Sequence, residues 1–171
     1  VHNGHKPNAD LKGQKSDTWD GGHRVPFIAW WPGKIPAGID SNELICLVDL
    51  MATCAAVSGQ KLSNNMGEDS HNLLPAFFNK MDKSIREAVV HHSGSGMFAI
   101  RQGNWKLIFE LGSGGFSYPV RIKPKPGQPT GQLYNLKFDP QEKENLWAKR
   151  PEMVKQLTDL LERYKQQGYS R

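Results

Sequence analysis

Lys15 is the residue in this chain best suited to chemistry on an anion. Its ammonium is a compact, flexible donor that can neutralise an oxyanion. It lies in Leu11–Pro26 (LKGQKSDTWDGGHRVP), the one stretch that combines charge, a glycine pair and the start of an apolar run. Such a group suits one wall of an anionic-substrate site, where charge developing in a transition state needs a fixed cation. A solvated loop lysine is the plain alternative. Asp20-Gly21-Gly22-His23-Arg24 follows and supplies means to place it. Asp20 and Arg24 can pair and brace the loop, while Gly21 and Gly22 allow positive φ or close packing. His5, upstream of Lys15, is either a contact to a substrate leaving group or a solvated loop histidine.

The other polar candidates carry less. His91 and His92 point to opposite faces of a strand, which argues against joint metal binding. His23 reads as packing, and His71 has no partner pattern. Cys46 and Cys54 sit in apolar surroundings and read as free, buried small residues. They lack a disulfide framework and any CxxC or His/Cys spacing for zinc. Tyr118 and Arg121 lie in a long irregular stretch of the kind that often lines a substrate entrance.

Charge excludes some functions. The net +5 is uneven: −1 over residues 1–60, +1 over 61–118 and +5 over 119–171. Arg121, Lys123 and Lys125 form only a small basic cluster, so nucleic-acid binding, which wants a broad basic surface with stacking aromatics or a readable module, is not expected. No apolar run approaches the ~18 residues of a membrane span, and no membrane partner is expected. The chain opens on Val1 and loop-like residues, which reads as the interior of a longer protein.

Positioning these groups requires a scaffold. Val25–Trp31 (VPFIAWW) is a nearly continuous apolar run and predicts a strand buried on both faces. Residues 49–59 predict a short helix, with the Asp49 carboxylate capping its first turn and Gly59 in the left-handed position at its end. Another short helical piece is expected near Leu73–Phe78. Residues 87–92, 96–101 and 104–111 predict strands joined by turns too short for anything but antiparallel pairing. In the third, Trp105, Leu107 and Phe109 alternate with Lys106, Ile108 and Glu110, as on a sheet with one wetter face. Residues 112–131 read as irregular, Gln132–Leu136 as a fourth strand, and Pro151–Lys165 as a one-sided apolar helix closed by Gly168. The expected class is α+β: the end of an α/β layer (residues 1–83), then a small antiparallel sheet packed with a long helix (84–171).

In that setting the chain resembles the type I sulfatases of the alkaline-phosphatase-like superfamily. The residues that carry the likeness are Gly13, Lys15, Asp20-Gly21-Gly22, Arg24-Val25-Pro26 and Trp31-Pro32-Gly33, with Asp20 where glutamate is commoner. Val48-Asp49-Leu50-Met51-Ala52-Thr53, Arg101-Gln102-Gly103-Asn104-Trp105-Lys106-Leu107, Leu133-Tyr134-Asn135-Leu136, Asp139-Pro140 and Glu144-Asn145-Leu146 continue it in order. The resemblance implies the C-terminal part of a sulfuric-ester hydrolase, with Lys15 contacting the sulfate. It also implies calcium and a formylglycine made from Cys or Ser in a C/S-x-P/A-x-R motif, and neither Cys46 nor Cys54 is followed by the required Pro or Ala and Arg. Asn3-Gly4 resembles part of a metal motif, but His2 stands where Asp belongs, so no metal ligand is assigned. The implied substrate is a sulfate ester, including sulfated glycans, and the implied location is periplasmic or secreted. The chain alone is expected to be inactive. Competing expectations are a non-catalytic sulfated-glycan binding domain and a phosphoryl or phosphonate hydrolase of the same superfamily.

Overall fold

A computed structural model describes residues 4–171; His2 and Asn3 lie outside them. Its elements run α1 (Asp20–His23), a 3-10 turn (Leu47–Asp49), α2 (Leu50–Val57), α3 (Leu74–Phe77), β1 (Val89–His92), β2 (Phe98–Gln102), β3 (Trp105–Ile108), β4 (Gln132–Asn135) and α4 (Pro151–Gln167). The class is α+β, with one four-stranded sheet in the order β1-β2-β3-β4. The chain divides into two compact units: one of residues 1–25 and 90–161, the other of residues 26–89 and 162–171. No helix among the described residues is long and apolar enough to cross a membrane.

The first unit is built on the sheet. Short turns enforce antiparallel pairing, and the register sets Ile100 opposite Leu107 and Leu107 opposite Leu133 on one face. All three are fully buried. The other face carries the row Arg101–Lys106–Tyr134 and, beside it, Ala99 and Ile108. Trp19, Met97, Ala99, Ile108, Tyr134 and Leu136 form a core there. No wetter face exists on β3, contrary to the alternation in its sequence: Lys106 is 0% exposed. Its ammonium is held 2.8 Å from Asp20 Oδ1 and 2.9 Å from Glu142 Oε1. Two carboxylates replace the water that a lysine normally keeps.

Helix α4 extends two residues past the expected end, and Gly168 follows it at φ 79°. Its apolar stripe buries Leu157, Leu160, Leu161 and Tyr164. Gln156 Nε2 also donates to Gln102 Oε1 of β2 at 2.8 Å.

The second unit is organised on Asp49. The expectation that its carboxylate caps α2 is overturned, because Asp49 itself has helical dihedrals and makes no side-chain cap. Oδ2 instead accepts from the Cys46 amide at 2.7 Å, and Oδ1 accepts from the His71 amide at 2.9 Å and from the Arg86 guanidinium. Arg86 and Asp49 are both buried, so the pairing offsets two desolvated charges. Thr53 Oγ1 donates to Asp49 O at 2.7 Å and accepts from the Leu73 amide at 3.0 Å, tying α2 to the approach to α3. Gly59 is left-handed, at φ 73°.

Two expectations fail in this unit for the same reason. Residues 25–31 form no strand, and Ile28 and Trp30 are 91% and 84% exposed. A strand buried on both faces needs neighbours on both edges and both faces, and the described residues provide none. Phe27 stacks on Phe77 and Trp31 tilts against Phe78, which is all the cover the run receives as aromatic contact. Cys54 is likewise exposed and Cys46 half-buried, both free, so neither is the buried thiol its apolar neighbours suggest.

Replacing Lys106 with methionine leaves two buried carboxylates without their cation. We expect Lys106→Met to cost about 3–5 kcal/mol of unfolding free energy in urea titrations of the 171-residue chain. A loss of less than about 1 kcal/mol would show that the pairing is not what the sheet depends on.

Candidate functional site

Asp17 builds the loop that carries Lys15. Its carboxylate is fully buried, with Oδ2 accepting the Gln14 amide at 2.9 Å and Oδ1 accepting the Ser117 amide at 3.1 Å. The Asp17 amide in turn donates to Gln14 O at 3.0 Å, closing a tight turn around Lys15. Gly13 and Ser16 both take positive φ, 87° and 81°. For Ser16 that conformation is costly, and it is held by the Gly94 amide donating to Ser16 O at 2.8 Å.

The turn rests on a glycine-lined seat. A Cβ on Gly21 would lie 2.4 Å from Gly13 O, and one on Gly22 would lie 2.2 Å from Asp17 O. Neither glycine has positive φ, so close packing is what the pair supplies. Gly94 and Gly115 press against Ser16 in the same way, with added Cβ atoms falling 1.9 Å from Ser16 Oγ and 2.4 Å from Ser16 O.

The two lysines of this loop have opposite fates. Lys12 Nζ donates to Glu142 O at 2.9 Å and sits over the Trp19 ring at 4.2 Å. Burial pulls its pKa below the ordinary value against the opposing pull of Glu142 and Asp139. Lys15 is exposed, and no hydrogen bond or ion pair engages it among the described residues. The turn therefore presents one lysine and locks the other away. His5 is also exposed, and no described hydrogen bond joins it to Lys15.

Asp20 does not pair with Arg24. Its side chain goes to Lys106, with Arg101 NH1 at 3.7 Å, while the exposed Arg24 only donates its backbone amide to Asp20 O at 2.8 Å. Glu142 Oε2 accepts the Asp20 amide at 2.7 Å, so α1 is fixed at both its backbone and its side chain. Burial pushes the Asp20 carboxyl up, but Lys106, Arg101 and Arg24 together outweigh it and hold it below the usual value. At Glu142 burial prevails over the same lysine, and its carboxyl is pushed up. Beside this cluster the His23 and His91 rings meet at a tilt of 54° with centroids 4.1 Å apart, and His91 Nε2 lies 3.3 Å from Thr18 O. His92 stands apart, its Nδ1 2.7 Å from Ser93 O, as expected of neighbours on opposite faces. Burial, reinforced by Lys106, lowers His23 to about 4 and His91 to about 3.

His71 is half-buried in the second unit, where burial and then Arg86 lower its pKa. Tyr118 is exposed, and Arg121 pairs with Glu110 at 3.1 Å. No three His, Cys, Asp or Glu side chains converge as a metal-binding set among the described residues. Sequence reading missed Asp17, Gly94 and Gly115. Ser16-Asp17 after Gly13 is turn-favouring chemistry that could have pointed to Asp17, but nothing local announces that residues 94 and 115 meet Ser16.

The sulfatase family model matches residues 2–60. The chain is 32% identical over 163 residues to an N-acetylgalactosamine-6-O-sulfatase of Bacteroides thetaiotaomicron, a match that covers 95% of this chain and 31% of that enzyme. A solved structure from a study of glycosaminoglycan metabolism by Bacteroides thetaiotaomicron superposes with a TM-score of 0.80 at 32% identity, covering 96% of this chain and 34% of that one. A Pseudoalteromonas sulfatase gives a TM-score of 0.74 at 27% identity, over 90% and 32% of the two chains. Sequence and fold together place the chain with the type I sulfatases, as a segment matching their C-terminal part. It spans about a third of the length of the B. thetaiotaomicron enzyme.

Two outcomes follow from this geometry. Gly22→Ala forces a methyl into the Asp17 carbonyl; we expect a loss of about 1–3 kcal/mol, with the Gln14 and Asp17 amide resonances displaced in 15N–1H spectra. The two histidines give the fold an acid-sensitive range. Neutral in the folded chain and ordinary near 6.5 when unfolded, they bind more protons in the unfolded state, so their contribution is full above pH 6.5 and is lost as pH falls towards 4 and 3. Glu142, with its raised pKa, works in the opposite sense. The urea midpoint of the double variant His23→Gln/His91→Gln should fall less steeply than that of the parent chain between pH 6.5 and 4.

Proposed function

We propose that this chain is the C-terminal portion of a sulfuric-ester hydrolase of the arylsulfatase kind, in which Lys15 contacts a sulfate oxygen. The observation that carries the reading is a lysine left exposed and unpaired on a turn whose every neighbour is tied down. Preorganised charge is useful in catalysis because it costs no rearrangement when the reaction needs it. Hydrolysis of a sulfate ester adds water across the S–O bond and releases an alcohol and sulfate. Lys15 would neutralise a non-bridging oxygen throughout and so offset the charge that develops as the ester bond breaks. His5, exposed in the same unit, is the residue offered for the leaving-group side.

No set of metal-ligating side chains converges among the described residues, so calcium has no seat there. Neither cysteine begins a C/S-x-P/A-x-R motif; Ser117-Tyr118-Pro119-Val120-Arg121 fits that pattern by residue type, and its Ser117 is engaged by Gln14 Nε2 at 3.4 Å and by Asp17 through its amide. In the full-length enzyme calcium and formylglycine would be supplied by other parts of the protein, and no step is assigned to them here. The exposed apolar run from Val25 to Trp31, with Ile28 and Trp30 almost fully exposed, is the surface offered to those other parts, since contiguous exposed apolar side chains mark interaction surfaces. The name of the B. thetaiotaomicron relative, an N-acetylgalactosamine-6-O-sulfatase, supports a sulfated sugar as substrate; a periplasmic or secreted location is what the family resemblance implies.

Two measurements test the reading. The 171-residue chain should release no sulfate from an aryl sulfate; turnover by the chain alone would refute the division of labour. In the full-length enzyme, Lys15→Ala should lower kcat/KM by about two to three orders of magnitude, and a change of less than about threefold would remove Lys15 from the site.

A further inference from the structure

The loop that clamps the Lys15 turn also carries two large exposed aromatic side chains. Phe116 and Tyr118 are 64% and 90% exposed. Between them, the Ser117 amide donates to the buried Asp17 carboxylate at 3.1 Å, and Gln14 Nε2 lies 3.4 Å from Ser117 Oγ. On the other side of Phe116, Gly115 lies so close to Ser16 that a Cβ there would meet Ser16 O at 2.4 Å. The aromatics are thus fixed, one residue away on either hand, to the residues that flank Lys15.

The loop is stiff enough for that placement to matter. Ser113 accepts the Gly115 amide on Oγ at 3.1 Å, and its hydroxyl donates to Ser117 O at 2.5 Å. The Ser113 and Gly114 amides donate to Pro119 O and Val120 O at 3.0 and 2.8 Å. Thr18, three residues past Lys15, donates both its amide and its hydroxyl to Ser113 O at 2.8 Å. Side chains this exposed bury only a minor part of their surface within their unit. A sugar ring offers what they can use: an apolar C–H face on one side and polar substituents around the edge.

We propose that Phe116 and Tyr118 are a saccharide platform for the Lys15 site. The ligand class is a sulfated sugar whose ring lies against the aromatics and whose sulfate reaches Lys15. Asp17 is a positioning residue: it sets the distance between platform and cation by accepting one amide from each loop. The proposal rests on the assignment of Lys15 as the sulfate contact and deepens it, because it assigns sugar recognition to two side chains that make no described contact with the Lys15 turn, although their loop backbone holds it.

The test compares inorganic sulfate, N-acetylgalactosamine and N-acetylgalactosamine 6-sulfate by NMR titration of the 171-residue chain, read at Lys15 and at residues 113–120. We expect the sulfated sugar to bind more tightly than sulfate. Phe116→Ala/Tyr118→Ala should weaken the sulfated sugar about tenfold while leaving inorganic sulfate unchanged and the remaining spectrum superimposable. If sulfate perturbs Lys15 but the sugar binds no more tightly, or the double variant binds it equally, the platform is refuted and the Lys15 assignment stands. If neither sulfate nor the sulfated sugar perturbs Lys15, the assignment itself fails and the platform with it.

Discussion

Lys106 is the constraint on which the first unit depends. A lysine with no exposure is tolerable only when its charge is met inside, and here Asp20 and Glu142 meet it from two segments far apart in the chain. Each carboxylate then makes a second demand. Asp20 takes Arg101 from the neighbouring strand, and Glu142 takes the Asp20 amide. A satisfied network of this kind rigidifies because no member can move without stranding another. Trp19, one residue before Asp20, donates its Nε1 to Gln132 Oε1 at 3.0 Å, and Tyr134 OH donates to the same oxygen at 2.8 Å. The chain before α1 is thereby fastened to the sheet by both charge and neutral hydrogen bonds.

What that fastening achieves is transmitted through backbone rather than side chains. Once α1 is fixed, Gly21 and Gly22 present bare backbone, and the Gly21 amide donates to Lys12 O at 2.7 Å. The Lys15 turn lies directly on it. From above, Gly94 and Gly115 close on Ser16 without side chains of their own. A loop with positive φ at a serine survives because its surroundings over-determine it. The buried salt bridge, the glycine seat and the strained turn are therefore successive parts of one device.

The sequence made the regular parts of this arrangement legible. Short gaps between residues 87 and 111 dictate hairpins, and the three- and four-residue spacing of Met153, Val154, Leu157, Leu160 and Leu161 dictates α4. Its failures share a cause. Alternation along 105–110 reports polarity, and polarity predicts water for Lys106 unless one knows of the carboxylates that face it. Asp49 looks like a cap because caps are local, whereas its partners Arg86 and His71 are distant. Val25–Trp31 has the composition of a central strand, but composition states a need for neighbours without providing them. In the Lys15 turn, spacing singled out the lysine and the glycine pair as candidates; the contacts from Ser117, Gly94 and Gly115 that hold the turn are long-range and left no local pattern.

The contrast between Lys12 and Lys15 shows how one turn can put two like residues in different environments. Both belong to the same polar stretch, and their side chains have equal reach and charge. Lys12 lies where Trp19, Tyr134 and the Glu142 carbonyl can surround its ammonium, and burial lowers its pKa as a consequence. Its charge is then spent within the fold. Lys15 falls at the apex between Gln14 and Asp17, where both flanking amides are already taken by internal acceptors. No described hydrogen bond or ion pair engages its ammonium. An exposed ammonium that no described internal acceptor engages is available to an acceptor from outside, and an anion is a group whose chemistry meets that condition.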